Sequence, residues 1–296
     1  MLIFYGIDGN KKEVTEICLN QLTRDNIITI PHNDNVRAAI FGDNVYGVEK
    51  KVFVLIEDKE YEYDKFQTIR INLTNMTINV YSAVIVEFRQ HKALRFVLTN
   101  FLNNLSDEWN IIIFCGNLNS EFVDDMITKL ASKRITKYQL NIDNLLPHEY
   151  SKLLMENYIY DMIPTETFLI FQTDSVILED NKDKINQFLH YDYVGAPWGA
   201  YSDDVGNGGL SLRKKSKMLE IIKKDTRKDL PEDLFFAQTQ CIALNKPDQN
   251  HALSFSIENW HGNNHPFGCH KPWGLMGIES EFCQMHPEII ILYNLQ

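Results

Sequence analysis

The chain has 296 residues, 44% hydrophobic and 23% charged, enough apolar material for one large α/β domain or a large and a small one. Its formal net charge of −11 excludes the basic surface that non-specific nucleic-acid binding requires. A phosphate-bearing small ligand stays compatible with that charge, because a divalent cation reverses the local field.

The opening Met1–Gly6 lacks the basic start and the apolar core of a signal peptide. Two β-rich runs follow, 27–30 and 52–56, separated by turn signals at Asp8-Gly9-Asn10, His32-Asn33-Asp34-Asn35 and Phe41-Gly42-Asp43-Asn44. A short helix is predicted over 13–22. Residues 1–75 therefore read as a small β-rich module. From Thr77 onward strands and helices alternate: strand 80–86, helix 91–103, strand 110–114, helix 121–130, strand 135–140, helical patterning over 148–157, and strand 168–171. Such alternation implies a mostly parallel sheet with helices on both faces, an α/β domain over 76–296. No uncharged apolar run approaches about 18 residues, so no membrane span is expected. The five cysteines (18, 115, 241, 269, 283) lack paired metal-type spacing and read as free thiols of a reducing compartment. An intracellular location is the expectation: the cytoplasm, or the host cytoplasm or virion for a viral chain.

Four clusters carry chemistry. The apolar run 168–171 ends in Gln172-Thr173-Asp174-Ser175. A carboxylate at the C-terminal end of a buried strand sits where open α/β sheets bind ligands, and Mg²⁺ or Mn²⁺ needs few protein oxygens when phosphates complete its shell. Asp174 is equally explained as a turn or capping residue. The second cluster is Gly206-Asn207-Gly208-Gly209 before Leu210-Ser211-Leu212-Arg213. It permits close backbone approach and could offer N–H groups to sugar hydroxyls or phosphate, or it is a plain turn into a strand. The basic run 214–224 reads as a helix solvated on its charged face. The third, Pro231-Glu232-Asp233, is an ordinary helix start, with Asp233 also able to deprotonate an acceptor hydroxyl. The last is His265-Pro266-Phe267-Gly268-Cys269-His270-Lys271-Pro272-Trp273. An imidazole here can ligate a metal and Lys271 can neutralise a diphosphate; with only one cysteine nearby, a structural zinc is disfavoured.

These motifs, taken together, make residues 77–296 resemble glycosyltransferases of the GT-A fold. The nearest likeness is to a poorly characterised glycosyltransferase-like family of bacteria, fungi and large DNA viruses, marked by Gln-Thr-Asp-Ser, Gly-Asn-Gly-Gly-Leu-Ser-Leu-Arg, Glu-Asp and Phe-Gly-x-His. The resemblance implies a Rossmann-like twisted sheet and a transferase acting on a nucleotide sugar. It places Asp174 at the second aspartate of the usual Asp-x-Asp, with Gln172 in the place of the first and Thr173 between. It further implies nucleotide contacts at Val86, Glu87 and Arg89, a donor and acceptor wall at Asn207, Gly208 and Gly209, and a catalytic base at Asp233 beside Glu232. The ending is also similar to the His-x-x-Gly-x-x-Lys-Pro-Trp of glycogenin-type enzymes, which points to His265 as metal ligand with Lys271 and Trp273 near the diphosphate. The nearer family points to His270, which is favoured. The N-terminal module resembles an accessory segment of viral and bacterial polysaccharide-related proteins, through Tyr5-Gly6 and Ile40-Phe41-Gly42-Asp43.

The expectation is a Mn²⁺- or Mg²⁺-dependent hexosyltransferase using a UDP-linked donor and a hydroxyl acceptor on a glycan or protein, with inversion favoured and retention open. The alternative is a catalytically idle nucleotide-sugar or glycan-binding protein on the same fold. A two-metal hydrolase or nuclease lacks its second carboxylate cluster.

Overall fold

The computed structural model describes residues 1–24, 26–74, 76–78, 80–132, 134–199, 205–258 and 265–296. The main sheet has six strands in the order Ile135–Gln139, Trp109–Cys115, Tyr81–Val86, Thr167–Phe171, Leu210–Lys214, Tyr193–Gly195. The first four run parallel, Leu210–Lys214 runs antiparallel to them, and Tyr193–Gly195 pairs antiparallel with Leu210–Lys214. Side-chain alternation decides which face each residue serves. Ala83, Ile85, Ile111, Ile113, Leu169 and Phe171 enter one core, with Leu94, Val97, Leu98 and Phe101 of the helix Leu94–Asn104. Val84, Val86, Ile112, Phe114, Phe168 and Ile170 enter the other, under helices that include Pro147–Leu154, Lys215–Lys224 and Glu232–Ala237. Trp109–Cys115 is covered on both faces and buried at every position, which is why it is apolar except at Asn110.

Strand order matters more than strand count here. From Tyr81–Val86 the chain works outward to Trp109–Cys115 and Ile135–Gln139, then returns to lay Thr167–Phe171 on the opposite side of Tyr81–Val86. The order reverses between those two strands, and an open α/β sheet has its crevice at the C-terminal ends of such a pair. Glu87 and Gln172 follow directly from those ends.

A second, three-stranded sheet joins Ser175–Ile177, Gly268–His270 and Ser256–Ile257. Its register sets Ser175 opposite His270, so the chain just before Ser175 meets the chain just after His270. The Lys271 amide completes this by donating to the Asp174 carbonyl at 2.9 Å.

The N-terminal segment forms two four-stranded antiparallel sheets closed by helices Thr15–Gln21 and Asp34–Phe41, and its pairing runs through Thr77–Ile78. The turn expected at residues 32–35 instead opens a helix. Asn33 caps it by accepting the Asn35 amide at 2.9 Å, because the short polar residues that make turns also satisfy helix N-termini. That helix delivers Arg37, fully buried, whose guanidinium donates to the carbonyls of Pro31, Asp64 and Gln67. The helical pattern at 148–157 resolves into two elements, Pro147–Leu154 and Asn157–Met162. Among the described residues no helix is long and apolar enough to cross a membrane.

Candidate functional site

A cleft of about 320 Å³ opens where the strand order reverses, within the range of small-molecule pockets. Six of the residues singled out in the sequence line it: Val86, Glu87 and Arg89 from one strand end, Gln172, Thr173 and Asp174 from the other. Glu87 is only 5% exposed, and its carboxylate accepts from the Arg89 amide, Nε and Nη2 at 2.7–2.8 Å. The buried charge is thereby offset, while the Arg89 side chain stays 60% exposed. Asn119 fixes this turn by donating to the carbonyls of Glu87 and Arg89.

The opposite wall, Asn144, Leu145, Pro147 and Tyr150, was not singled out in the sequence. Pro147 opens a helix whose N-terminal amide is taken by Glu149, and the first turn carries Tyr150 into the cleft. The helical patterning over 148–157 was legible; nothing marked the tyrosine as cleft-facing. Its hydroxyl is buried without a hydrogen-bond partner among the described residues, and burial pushes its pKa above the usual tyrosine range.

Asp174 and His270 meet at the rim. Asp174 Oδ1 lies 3.1 Å from His270 Nε2, and Glu258 Oε1 lies 3.0 Å from His270 Nδ1. Neither approach is aligned as a hydrogen bond, and Asp174 Oδ1 and both ring nitrogens are buried without a hydrogen-bond partner among the described residues. Burial opposes charge on the ring, yet the two carboxylates outweigh it and raise the His270 pKa to about 9. Burial pushes the Asp174 carboxyl up, and the His270 contact overcomes this to hold it below its ordinary value, with Lys271 contributing.

These residues fit a divalent cation. Two cis ligands of an octahedral Mg²⁺ or Mn²⁺ at about 2.1 Å lie about 3.0 Å apart, close to the separation of Asp174 Oδ1 and His270 Nε2. A donor set containing imidazole suits Mn²⁺ better than Mg²⁺. Among the described residues no three His, Cys, Asp or Glu side chains converge as a complete protein site.

The other sequence candidates fall in different places. His265 is exposed and lies outside the small sheet, its carbonyl accepting from Lys184. Lys271 is exposed beside Asp174, with a left-handed φ of 46°. Trp273 packs its ring edge-on against Tyr293, at the margin of the core. Cys269, next to His270 in the strand, faces the core.

The glycine segment differs from its expected chemistry. Its backbone amides are not offered to a ligand: Asn207 N donates to Ala196 O, Gly208 N to Asp233 Oδ2 and Gly209 N to Asn207 Oδ1. The Asn207 side-chain amide is also taken, by Glu258 Oε2 at 2.6 Å. The glycines are required by close approach instead. A Cβ on Gly208 would overlap the Glu232 carboxylate, and one on Gly209 would overlap the His270 ring. The segment separates two side-chain clusters and seats both.

Glu232 likewise faces the protein rather than the cleft. Both its oxygens accept from Arg213, at 2.7 and 3.1 Å, and it is 5% exposed. Asp233 is half-buried; Oδ1 caps its own helix at Leu234 N and Oδ2 reaches Gly208. Glu258 had no sequence signal, since it follows a two-residue strand and belongs to no motif.

Residues 135–270, just under half of the chain, match a family described as "Protein of unknown function (DUF5672)". No curated protein matches the chain. Among solved structures, the 1-349 segment of TarS from S. aureus overlaps with a TM-score of 0.39 and 9% identity, covering 59% of this chain and 62% of that one. The mannosyltransferase PcManGT from Pyrobaculum calidifontis, in complex with GDP-Man and Mn2+, gives 0.38 and 10% over 48% of this chain and 46% of that one. HddC from Yersinia pseudotuberculosis gives 0.40 and 13% over 56% and 88%. The chain thus spans less than two thirds of the first two.

Proposed function

We propose that the chain is a divalent-metal-dependent glycosyltransferase that moves a hexose from a nucleoside diphosphate sugar, uridine-linked, to a hydroxyl acceptor on a glycan or protein. The observation that carries this reading is the unsatisfied Asp174–His270 pair at the rim of a cleft built at the reversal of strand order.

In this reading the cleft holds the nucleoside. Phe88, Leu145 and Pro147 supply apolar walls for a base, while Glu87, Arg89 and Tyr150 supply polar edges. Mn²⁺, or less favourably Mg²⁺, held by Asp174 and His270 would neutralise charge developing on the departing diphosphate. Lys271, exposed beside Asp174, adds a fixed positive charge on the same side. Asp233 lies across the glycine segment from His270, since Gly208 packs on Asp233 and Gly209 on His270. From there its carboxylate takes the proton of the acceptor hydroxyl, whose oxygen attacks the anomeric carbon opposite the leaving group and inverts it. Glu232, locked on Arg213, positions the helix that presents Asp233.

Calorimetry with UDP, with and without Mn²⁺, followed by a donor-sugar hydrolysis screen, tests the proposal. Mn²⁺-dependent UDP binding together with hydrolysis of one donor supports it; UDP binding indifferent to Mn²⁺ in intact protein rejects the metal role. A second reading, a catalytically idle nucleotide-sugar-binding protein, is favoured by Gln172 standing where the first aspartate of Asp-x-Asp is usual. Mn²⁺-dependent UDP binding with no turnover of any donor decides for it. Product NMR separates the stereochemical options: a retained anomeric configuration removes Asp233 from the base role.

A further inference from the structure

We infer that Glu258 is the positioning residue of the cation site: it fixes the His270 ring and its tautomer, and Asn207 in turn fixes Glu258. The inference rests on the metal reading above and assigns a role to a residue outside every motif.

The observations form one chain of contacts. Asn207 Oδ1 accepts the Gly209 amide at 3.0 Å, which orients the Asn207 side chain so that its Nδ2 must point elsewhere. Nδ2 donates to Glu258 Oε2 at 2.6 Å. The other oxygen, Oε1, lies 3.0 Å from His270 Nδ1, and Nε2 on the far side of the ring lies 3.1 Å from Asp174. Gly209 closes the arrangement from below, because any side chain there would displace the ring. With a cation on Nε2 the imidazole is neutral and has one N–H. A carboxylate facing Nδ1 assigns the N–H to Nδ1 and leaves the lone pair on Nε2, toward Asp174. Metal-ligating histidines regularly donate their other N–H to a carboxylate, and loss of that partner weakens metal affinity by about 10–100-fold.

The arrangement also explains why the segment reads Gly-Asn-Gly-Gly. Asn207 supplies one acceptor to the backbone and one donor to Glu258, a pairing that an ionised aspartate cannot supply. Glutamine at 258 keeps the shape but offers a single acceptor oxygen to two donors, Asn207 Nδ2 and His270 Nδ1.

The test uses the full chain with UDP present and Mn²⁺ as the probe, free Mn²⁺ being followed by electron paramagnetic resonance. Glu258→Ala is expected to weaken Mn²⁺ binding by about 100-fold, Glu258→Gln by about 10-fold, and Glu258→Asp to recover part of the loss. Long-range ¹H–¹⁵N spectra of ¹⁵N-histidine protein loaded with diamagnetic Zn²⁺ are expected to show the His270 proton on Nδ1. Folded Glu258→Ala protein that binds Mn²⁺ as tightly as the parent overturns the inference while leaving the metal reading intact. A His270 proton on Nε2 in the Zn²⁺-loaded parent protein overturns it without any variant, so the test survives a variant that fails to fold. Parent protein that binds no Mn²⁺ with UDP present removes the metal reading itself, and the inference with it.

Discussion

Gly208 and Gly209 are adjacent, yet each seats a different kind of buried ionic cluster. Beneath Gly208, the fully buried Arg213 gives two hydrogen bonds to Glu232 and one from Nε to Ser211 Oγ at 2.9 Å. The rings of Tyr193 and Phe236 cover its guanidinium at 4.9 and 5.6 Å. Against Gly209, His270 lies between Asp174 and Glu258 at comparable distances, but among the described residues neither of these two contacts is aligned as a hydrogen bond. Distance and burial alone do not separate the two clusters; satisfaction of valence does. The closed buried pair is architecture, and the open one is where the proposed cation would sit.

The comparison is broken most severely from its closed side. Glu232→Gln leaves the Arg213 charge buried and unpaired, which is expected to cost about 3–5 kcal/mol of stability in urea unfolding. Next comes the open side. Asp174→Asn is expected to reduce Mn²⁺-dependent UDP affinity at least 100-fold, about 2.7 kcal/mol, with stability altered by less than about 1 kcal/mol. Equal stability losses in the two variants would erase the distinction between architecture and site.

This division between closed and open explains what could be read in the sequence. Strand 168–171, its acidic ending and the helices around it were legible because burial on both faces forces an apolar run, and a change to polar residues marks its end. The strand ends at Val86 and Phe171 then converge because the strand order reverses between them, which no local pattern records. Glycines were legible as places of close approach, but the sequence does not say what approaches. The expectation was a ligand, whereas the structure shows a histidine ring and a carboxylate. Glu232 and Asp233 are neighbours of the same chemical type, and helical geometry alone turns one onto Arg213 and leaves the other beside Gly208. Glu258 and Tyr150 depend on long-range packing and had no signature.

A smaller effect is expected from the glycines themselves. Gly209→Ala pushes the His270 ring from its seat, an overpacking cost of about 1–3 kcal/mol in stability, and Mn²⁺ binding should fall with it. Gly208→Ala should cost a similar amount of stability by displacing the Glu232 carboxylate, but leave Mn²⁺ affinity within about twofold of the parent. The pair of variants sharpens the comparison, since adjacent substitutions of identical chemistry would then separate by readout. Loss of Mn²⁺ affinity in both would show that the two clusters act as one.

The smallest effect lies where the closed side meets solvent. Asp225 accepts from the Arg227 amide, Nε and Nη2 and from Thr239 Oγ1, while Arg227 also reaches the Gln238 carbonyl. These bonds tie together the two ends of the segment that carries Glu232 and Asp233. The Arg227 hydrogen bonds lower the Asp225 pKa from 3.8 to about 2. A carboxyl with a depressed folded-state pKa contributes its full stability above 3.8 and loses it as pH falls through about 2. Asp225→Asn is therefore expected to cost about 1–2 kcal/mol at neutral pH and to flatten the acid limb of the stability curve over that interval. An acid limb of unchanged slope in Asp225→Asn would mean that the clasp adds nothing to the closed side. Asp233 would then owe its position to the Arg213–Glu232 pair and to its own bonds with the Leu234 and Gly208 amides.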